Sequence, residues 1–192
     1  MNATKNPRQM EIDALECKKR YYGKYRGMVV NNVDPKGQGR LLVTVPQISP
    51  LPLAAWAMMC TPVGGPQHGM FSVPPPLSGV WVEFEQGEID YPIWTGCLLG
   101  SGLDAPRKAP AANPLLQSIT LQTPTQNSVV ISDAPGPSGG VQIEVRTGAK
   151  ITVTDLGIEL SNGFASIKMI GDAILIDASI VNINNGALLI TK

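Results

Sequence analysis

Gly148-Ala-Lys-Ile-Thr-Val-Thr-Asp-Leu-Gly-Ile-Glu-Leu160 decides how this chain folds. Ile151 and Val153 alternate with Lys150, Thr152 and Thr154, which is the period of an extended strand with one dry face and one wet face. Gly157 interrupts the alternation, and it restarts with Ile158 and Leu160. Outward in both directions the same unit returns. Ser118-Ile-Thr-Leu-Gln-Thr123, Ser128-Val-Val-Ile-Ser-Asp133 and Val141-Gln-Ile-Glu-Val-Arg-Thr147 precede it, and Ala165-Ser-Ile-Lys-Met-Ile-Gly171, Ala173-Ile-Leu-Ile-Asp-Ala-Ser-Ile180 and Ala187-Leu-Leu-Ile-Thr-Lys192 follow. Ile151, Ile158, Ile167, Ile174, Ile183 and Ile190 recur at short, nearly regular intervals, punctuated by Gly157, Gly163, Gly171 and Gly186. Repetition at this period reads as a β-helix, each short strand turning a corner and stacking on the one before.

One strand per repeat is too little for a single chain to close around its own interior. Burying an Ile or Val is worth about 1.5–3 kcal/mol, so about a dozen left open along one face is untenable for a soluble monomer. Three chains winding together resolve this as an intertwined triple-stranded β-helix, each donating one side of a triangular prism. With layers about 4.8 Å apart, some eight strands make a stiff rod of order 40 Å.

Before residue 100 the chain is a different object. All three tryptophans (Trp56, Trp81, Trp94) and all four tyrosines (Tyr21, Tyr22, Tyr25, Tyr91) lie there, and Phe164 is the only aromatic beyond it. Aromatics carry the largest apolar area per residue and anchor compact cores. Met10, Ala14 and Cys17 at helical spacing predict a short helix over about Arg8 to Lys19. Tyr25–Val33 and Arg40–Pro46 flank the turn Asp34-Pro-Lys-Gly-Gln-Gly39 and predict a hairpin. Trp56–Cys60 supplies a third strand, and Gly79–Glu85 with Tyr91–Gly96 a second hairpin. About five strands with glycine-rich turns indicate a small barrel of the OB type, with a Greek-key sandwich as the rival. The organisation is therefore a helical segment over 1–20, an OB-fold domain over 21–100, a Pro/Gly/Ala-rich linker over 101–114 and the β-helix over 115–192.

Composition narrows the function. Fifteen basic residues balance fifteen acidic ones, so no broad basic face for nucleic acid is expected. Glu83, Glu85, Glu88 and Asp90 around Trp81, Tyr91 and Trp94 would repel phosphates from any stacking platform. His68 is the lone histidine and lacks a nearby Ser/Asp or Cys partner, so it reads as a loop residue. Glu83 and Glu85 share a strand face, and they read as a solvated or inter-subunit surface rather than a glycosidase pair. Gly37-Gln-Gly39 and Gly136–Gly140 lack the strand-to-helix setting of a phosphate cradle. No catalytic, cofactor or metal residue is expected. Cys17, Cys60 and Cys97 read as reduced thiols, and the charged stretch Met1–Arg20 is unlike a signal peptide, so synthesis in the cytoplasm is expected.

Tyr21-Tyr-Gly-Lys-Tyr-Arg-Gly-Met-Val-Val-Asn-Asn-Val-Asp-Pro35, Gly79-Val-Trp-Val-Glu-Phe-Glu-Gln-Gly87 and Asp90-Tyr-Pro-Ile-Trp-Thr-Gly96, followed by the Gly148–Leu160 repeats, resemble the phage baseplate assembly protein V and VgrG-like central spikes of contractile injection systems. The resemblance covers about Tyr21 to Lys192. It implies a homotrimer in the baseplate of a phage tail or injection particle, its OB end on the tube hub and its β-helix driven through the target envelope on sheath contraction. It implies a structural protein, not an enzyme. Gly100–Pro114 leaves no room for the lysozyme domain that some spikes carry there, and no histidine follows His68 to form the iron-binding motif of some tips. A separate PAAR-type tip protein is therefore expected to dock on Asn184, Asn185, Gly186, Leu188, Leu189, Ile190 and Lys192. Tyr21, Tyr22 and Tyr25, beside Lys18, Lys19 and Arg20, form the expected hub contact. The rival reading is a bactofilin-like filament built from the repeats; a β-helix acyltransferase is more distant, since no histidine lies on the coils.

Overall fold

The computed structural model describes residues 19–48, 54–109, 116–183 and 188–191; the expected N-terminal helix falls outside them. Sixteen strands follow in chain order: β1 (Tyr25–Asn31), β2 (Leu41–Thr44), β3 (Ala54–Met59), β4 (Gly64–Gly65), β5 (His68–Gly69), β6 (Gly79–Phe84), β7 (Pro92–Leu98), β8 (Ser118–Gln122), β9 (Ser128–Ser132), β10 (Gly140–Glu144), β11 (Lys150–Thr154), β12 (Gly157–Ser161), β13 (Ser166–Ile170), β14 (Ala173–Asp177), β15 (Ile180–Ile183) and β16 (Leu188–Thr191). Among the described residues the only helical turns are three one-turn 3-10 segments. The chain is all-β. It divides between Gly100 and Ser101 into two compact units.

The first unit is a closed barrel in the order β1-β2-β3-β7-β6, with β6 returning to β1. All contacts between neighbouring strands are antiparallel except β3–β7, where Met58 and Met59 run parallel beside Ile93 and Trp94. A single sheet closed on itself is the expected OB barrel and excludes the two-sheet sandwich. Strand alternation fills its interior: Val29 from β1, Leu41 and Val43 from β2, Ala57 from β3, Val80 and Val82 from β6 and Trp94 from β7 are all buried. Gly27 sits among them because a Cβ there would come within 2.8 Å of a Val82 methyl. The Trp94 indole N–H is not stranded in the apolar interior. It donates to the Gly39 carbonyl at 3.1 Å, pinning the β1–β2 turn to the far wall.

That turn is organised by one carboxylate. Asp34 accepts backbone N–H bonds from Lys36 (2.9 Å), Gln38 (2.8 Å) and Arg40 (3.2 Å). It also accepts from the Arg40 guanidinium at 3.0 and 2.6 Å, with only 4% of its side chain exposed. The guanidinium in turn lies 5.2 Å from the Trp56 ring. The Arg40 hydrogen bond, helped by the three N–H donors, holds the Asp34 carboxyl well below the usual carboxylate range.

The second unit contains a seven-stranded sheet in simple chain order, β8 to β14, every neighbour antiparallel. A further antiparallel pair, β15–β16, stands apart from it. One strand per repeat stacks on the last, but through β14 the connections are reversals rather than corners. Only two residues, Asp155-Leu156 and Gly171-Asp172, join β11 to β12 and β13 to β14, and links that short can connect only antiparallel neighbours. Gly157 lets one reversal close tightly: its φ is +144°, and a Cβ would strike the Met169 carbonyl oxygen on β13. The described part of the segment read as a linker is tied to this sheet, since the Lys108 N–H donates to the Gln122 side chain at 3.0 Å and its ammonium pairs with Glu144.

Because Asp34 is held ionised when folded, its contribution is complete above the ordinary carboxylate pKa and fades as acid protonates it. Asp34→Asn should lower the barrel Tm by about 5 °C at pH 7, followed by tryptophan fluorescence, which reports the barrel alone. The gap between variant and parent should close as pH falls below about 4.

Candidate functional site

The register of the C-terminal sheet aligns its side chains into rows. Ile119, Ile131, Val141, Val153, Ile158, Met169 and Ile174 lie opposite one another in succession from β8 to β14. Leu121, Val129, Ile143, Ile151, Leu160, Ile167 and Ile176 form a second row on the same face. Every one of these positions is Ile, Leu, Val or Met. All but Val129 and Ile158 are exposed, from 37% at Val141 to 70% at Ile174, whereas Val29 and Val80 in the barrel are at 0%. A single-layer sheet of this kind buries neither row in its own chain, so it has no interior. At about half exposure, covering each residue is worth about 1 kcal/mol, and the whole face of order 10 kcal/mol per chain.

The reverse face is polar. Thr120, Gln142, Thr152, Glu159 and Lys168 form its central row, with Val130 and Leu175 as the apolar exceptions. Glu159 sits between two ammonium groups, 3.1 Å from Lys150 and 3.5 Å from Lys168. The Lys150 hydrogen bond first, and both positive charges after it, pull the Glu159 carboxyl below its ordinary value. This cross-strand clamp joins β11, β12 and β13 on the wet side. It was not anticipated from sequence, although the polar phase of the alternation already placed all three residues on one face.

The three expected hub tyrosines are divided by the structure. Tyr21 and Tyr25 pack on Phe84 at centroid distances of 5.9 and 5.6 Å and on each other at 6.2 Å. Tyr21 also donates its backbone N–H to the Gly87 carbonyl at 2.9 Å, beside an Arg20–Glu88 ion pair. These two rings close one end of the barrel. Tyr22 is 71% exposed. Phe84 was the missed member of this cluster; only its inward phase on the Gly79–Phe84 strand hinted at it.

Of the expected tip residues, Asn184, Asn185, Gly186 and Lys192 lie outside the described residues. Leu188, Leu189 and Ile190 belong to β16, paired with β15 in the register Val181↔Ile190 and Asn182↔Leu189. The Ile190 side chain is exposed. His68 lies at the tip of the β4–β5 hairpin, its Nδ1 facing the Pro66 carbonyl at 3.2 Å.

Residues 25–99, the barrel, match the family model for the Type VI secretion system/phage-baseplate injector OB domain. Residues 118–189, the two-rowed sheet with the β15–β16 pair, match the phage baseplate V C-terminal trimerisation domain. No curated protein matches the chain.

The two faces should respond oppositely to charge. Ile151→Asp places a carboxylate in the open apolar row and should collapse self-association, giving the one-chain mass or aggregate in sedimentation velocity. Thr152→Asp, one residue away on the wet face, should leave the sedimentation coefficient within a few per cent of the parent.

Proposed function

The chain belongs to the phage baseplate V family, an injector OB domain and a trimerisation domain in series and a structural component of a phage baseplate or related injection particle, and from that premise we infer that three copies form the central spike. The carrying observation is the pair of unbroken aliphatic rows, exposed in one chain and lying within the region that matches the trimerisation domain. Three such sheets, dry faces inward, make a prism whose interior is these two rows from each copy.

Such a prism suits the transmission of force. Its strands are hydrogen-bonded across the whole sheet, and the Lys150–Glu159–Lys168 clamp braces the outside. Aromatic bulk is confined to the barrel, apart from the exposed Phe164 in the β12–β13 turn. On sheath contraction the spike is pushed through the target envelope as a rigid body, making only transient contact with the membrane. The work is mechanical and involves no reaction and no cofactor.

The barrel is the end mounted on the tube hub. Tyr22 is the contact residue favoured there, since Tyr21 and Tyr25 are occupied with Phe84. The C-terminal strand Leu188–Thr191 carries a conical tip protein of the PAAR type; the exposed Ile190 supports an apolar docking surface.

Sedimentation equilibrium tests the central claim. The purified chain should show three times its 20.4 kDa mass at micromolar concentration, and a stable single-chain mass would overturn the spike reading. Tyr22→Ala should weaken capture by the hub protein about tenfold without moving the barrel Tm, whereas Tyr25→Ala should lower that Tm.

A further inference from the structure

Among the described residues of the C-terminal sheet and its turns, Phe164 is the most exposed large apolar side chain, at 96%. It stands on a braced turn. The Asn162 carboxamide oxygen accepts the backbone N–H groups of Phe164 and Ala165 at 2.9 and 2.8 Å, and the Asn162 N–H donates to the Ala165 carbonyl at 3.1 Å. The Gly163 N–H donates to the Ser161 hydroxyl at 3.1 Å, with Gly163 at φ +90°. These local bonds fix the turn without any help from a phenyl ring. The sheet also has a recess for such a ring, on its other margin. Because β8 to β14 form an antiparallel meander, successive turns alternate between two margins. The β8–β9, β10–β11 and β12–β13 turns lie on one, and the β9–β10, β11–β12 and β13–β14 turns on the other. A cavity of 340 Å³ on the wet face reaches that second margin, where Pro137, Thr154, Leu156, Gly157, Lys168 and Ile170 line it. Leu156 and Ile170 stay exposed there, apolar residues on the side of the sheet that is otherwise polar.

Resting on the trimeric reading, we propose that Phe164 of each copy seats in this recess on the neighbouring copy, against its Leu156 and Ile170. Rotation about a three-fold axis leaves heights unchanged. With the strands set across that axis, the first margin of one copy therefore meets the second margin of the next, level with it. The β12–β13 turn then falls midway between the neighbour's β11–β12 and β13–β14 turns, one strand spacing of about 4.8 Å from each. Leu156 belongs to the first of those turns and Ile170 borders the second. The same stagger sets the exposed Arg146, in the β10–β11 turn, between the exposed Asp133 and Asp155 of the neighbouring copy, so charge is complementary where the margins meet. Peg and recess are different surfaces, so the contact runs head to tail and closes after three copies. An aromatic ring filling a partner's pocket is a strong anchor. Placed at the corners, outside the aliphatic interior, it also holds the three sheets at one height: a slip of one strand along the axis carries every Phe164 out of its recess.

Cysteine cross-linking tests the contact. With Cys17, Cys60 and Cys97 replaced by serine, Phe164→Cys and Leu156→Cys are introduced together and the purified protein is oxidised gently. In one chain these positions flank the two ends of the five-residue strand β12, about 17 Å apart, so a disulfide between them joins two copies. Covalent dimers and closed trimers on a non-reducing gel are the expected result. Free thiols in a protein of three-chain mass overturn the proposal and leave the spike reading intact; a one-chain mass for the cysteine-free parent strikes the trimer itself. Phe164→Ala keeps the proposal open to refutation should the double variant fail to assemble. It should lower the melting temperature of the C-terminal unit, followed by circular dichroism, by about 5 °C, and Phe164→Leu should restore most of the loss. Parental melting of Phe164→Ala overturns the contact. If that variant also no longer binds phosphatidylglycerol vesicles that the parent binds, the ring belongs to the target membrane instead.

Discussion

A sheet with one dry face must find something to cover it, and among the described residues of this chain nothing does. Two rows of Ile, Leu, Val and Met run across seven strands and stay open to solvent. The demand is symmetrical: each copy offers the same surface and needs the same surface in return. Closed rotational assembly follows from that self-complementarity. The register of every strand matters for the same reason, since a slip of one residue would exchange the dry and wet faces.

The two units therefore have opposite sources of stability. The barrel owns its interior, with Val29, Leu41, Val80 and Val82 fully buried and Trp94 hydrogen-bonded across it to the β1–β2 turn. Its turn chemistry is local, built by Asp34 on three backbone donors and Arg40. The C-terminal unit borrows its interior from its neighbours, and its own chain supplies only the ladder and the wet-face ion pairs. The aromatic residues are distributed to match. The barrel needs large side chains to fill a closed space, whereas stacked layers need residues of similar width.

Period-two alternation made the dry and wet faces of the C-terminal half legible, because Ile151 and Val153 against Thr152 and Thr154 admit few other readings. The hairpins of the barrel were legible for the same reason, with Asp34–Gly39 marking the turn. The manner of stacking was harder. Regular isoleucine spacing suits a winding chain and a folding-back chain equally, and only the two-residue links Asp155-Leu156 and Gly171-Asp172 separate them. The Tyr21–Tyr25–Phe84 cluster depends on a ring about sixty positions downstream, and the Lys150–Glu159–Lys168 clamp depends on register. Neither is encoded in any local stretch. Most of the proposed tip site falls outside the described residues, and Ile190, exposed on β16, is the member whose side chain the structure describes.

The tight reversals also set a rule for how such a spike can change length over evolution. Removing or adding a single strand would send the chain out of the sheet on the wrong side, and everything downstream would be mirrored in direction. Removing or adding a strand pair leaves the exit unchanged and alters the shaft by about 9.6 Å. Shafts of this design should therefore grow and shrink by duplication or loss of whole hairpins, in even steps, like a ruler marked only at alternate divisions.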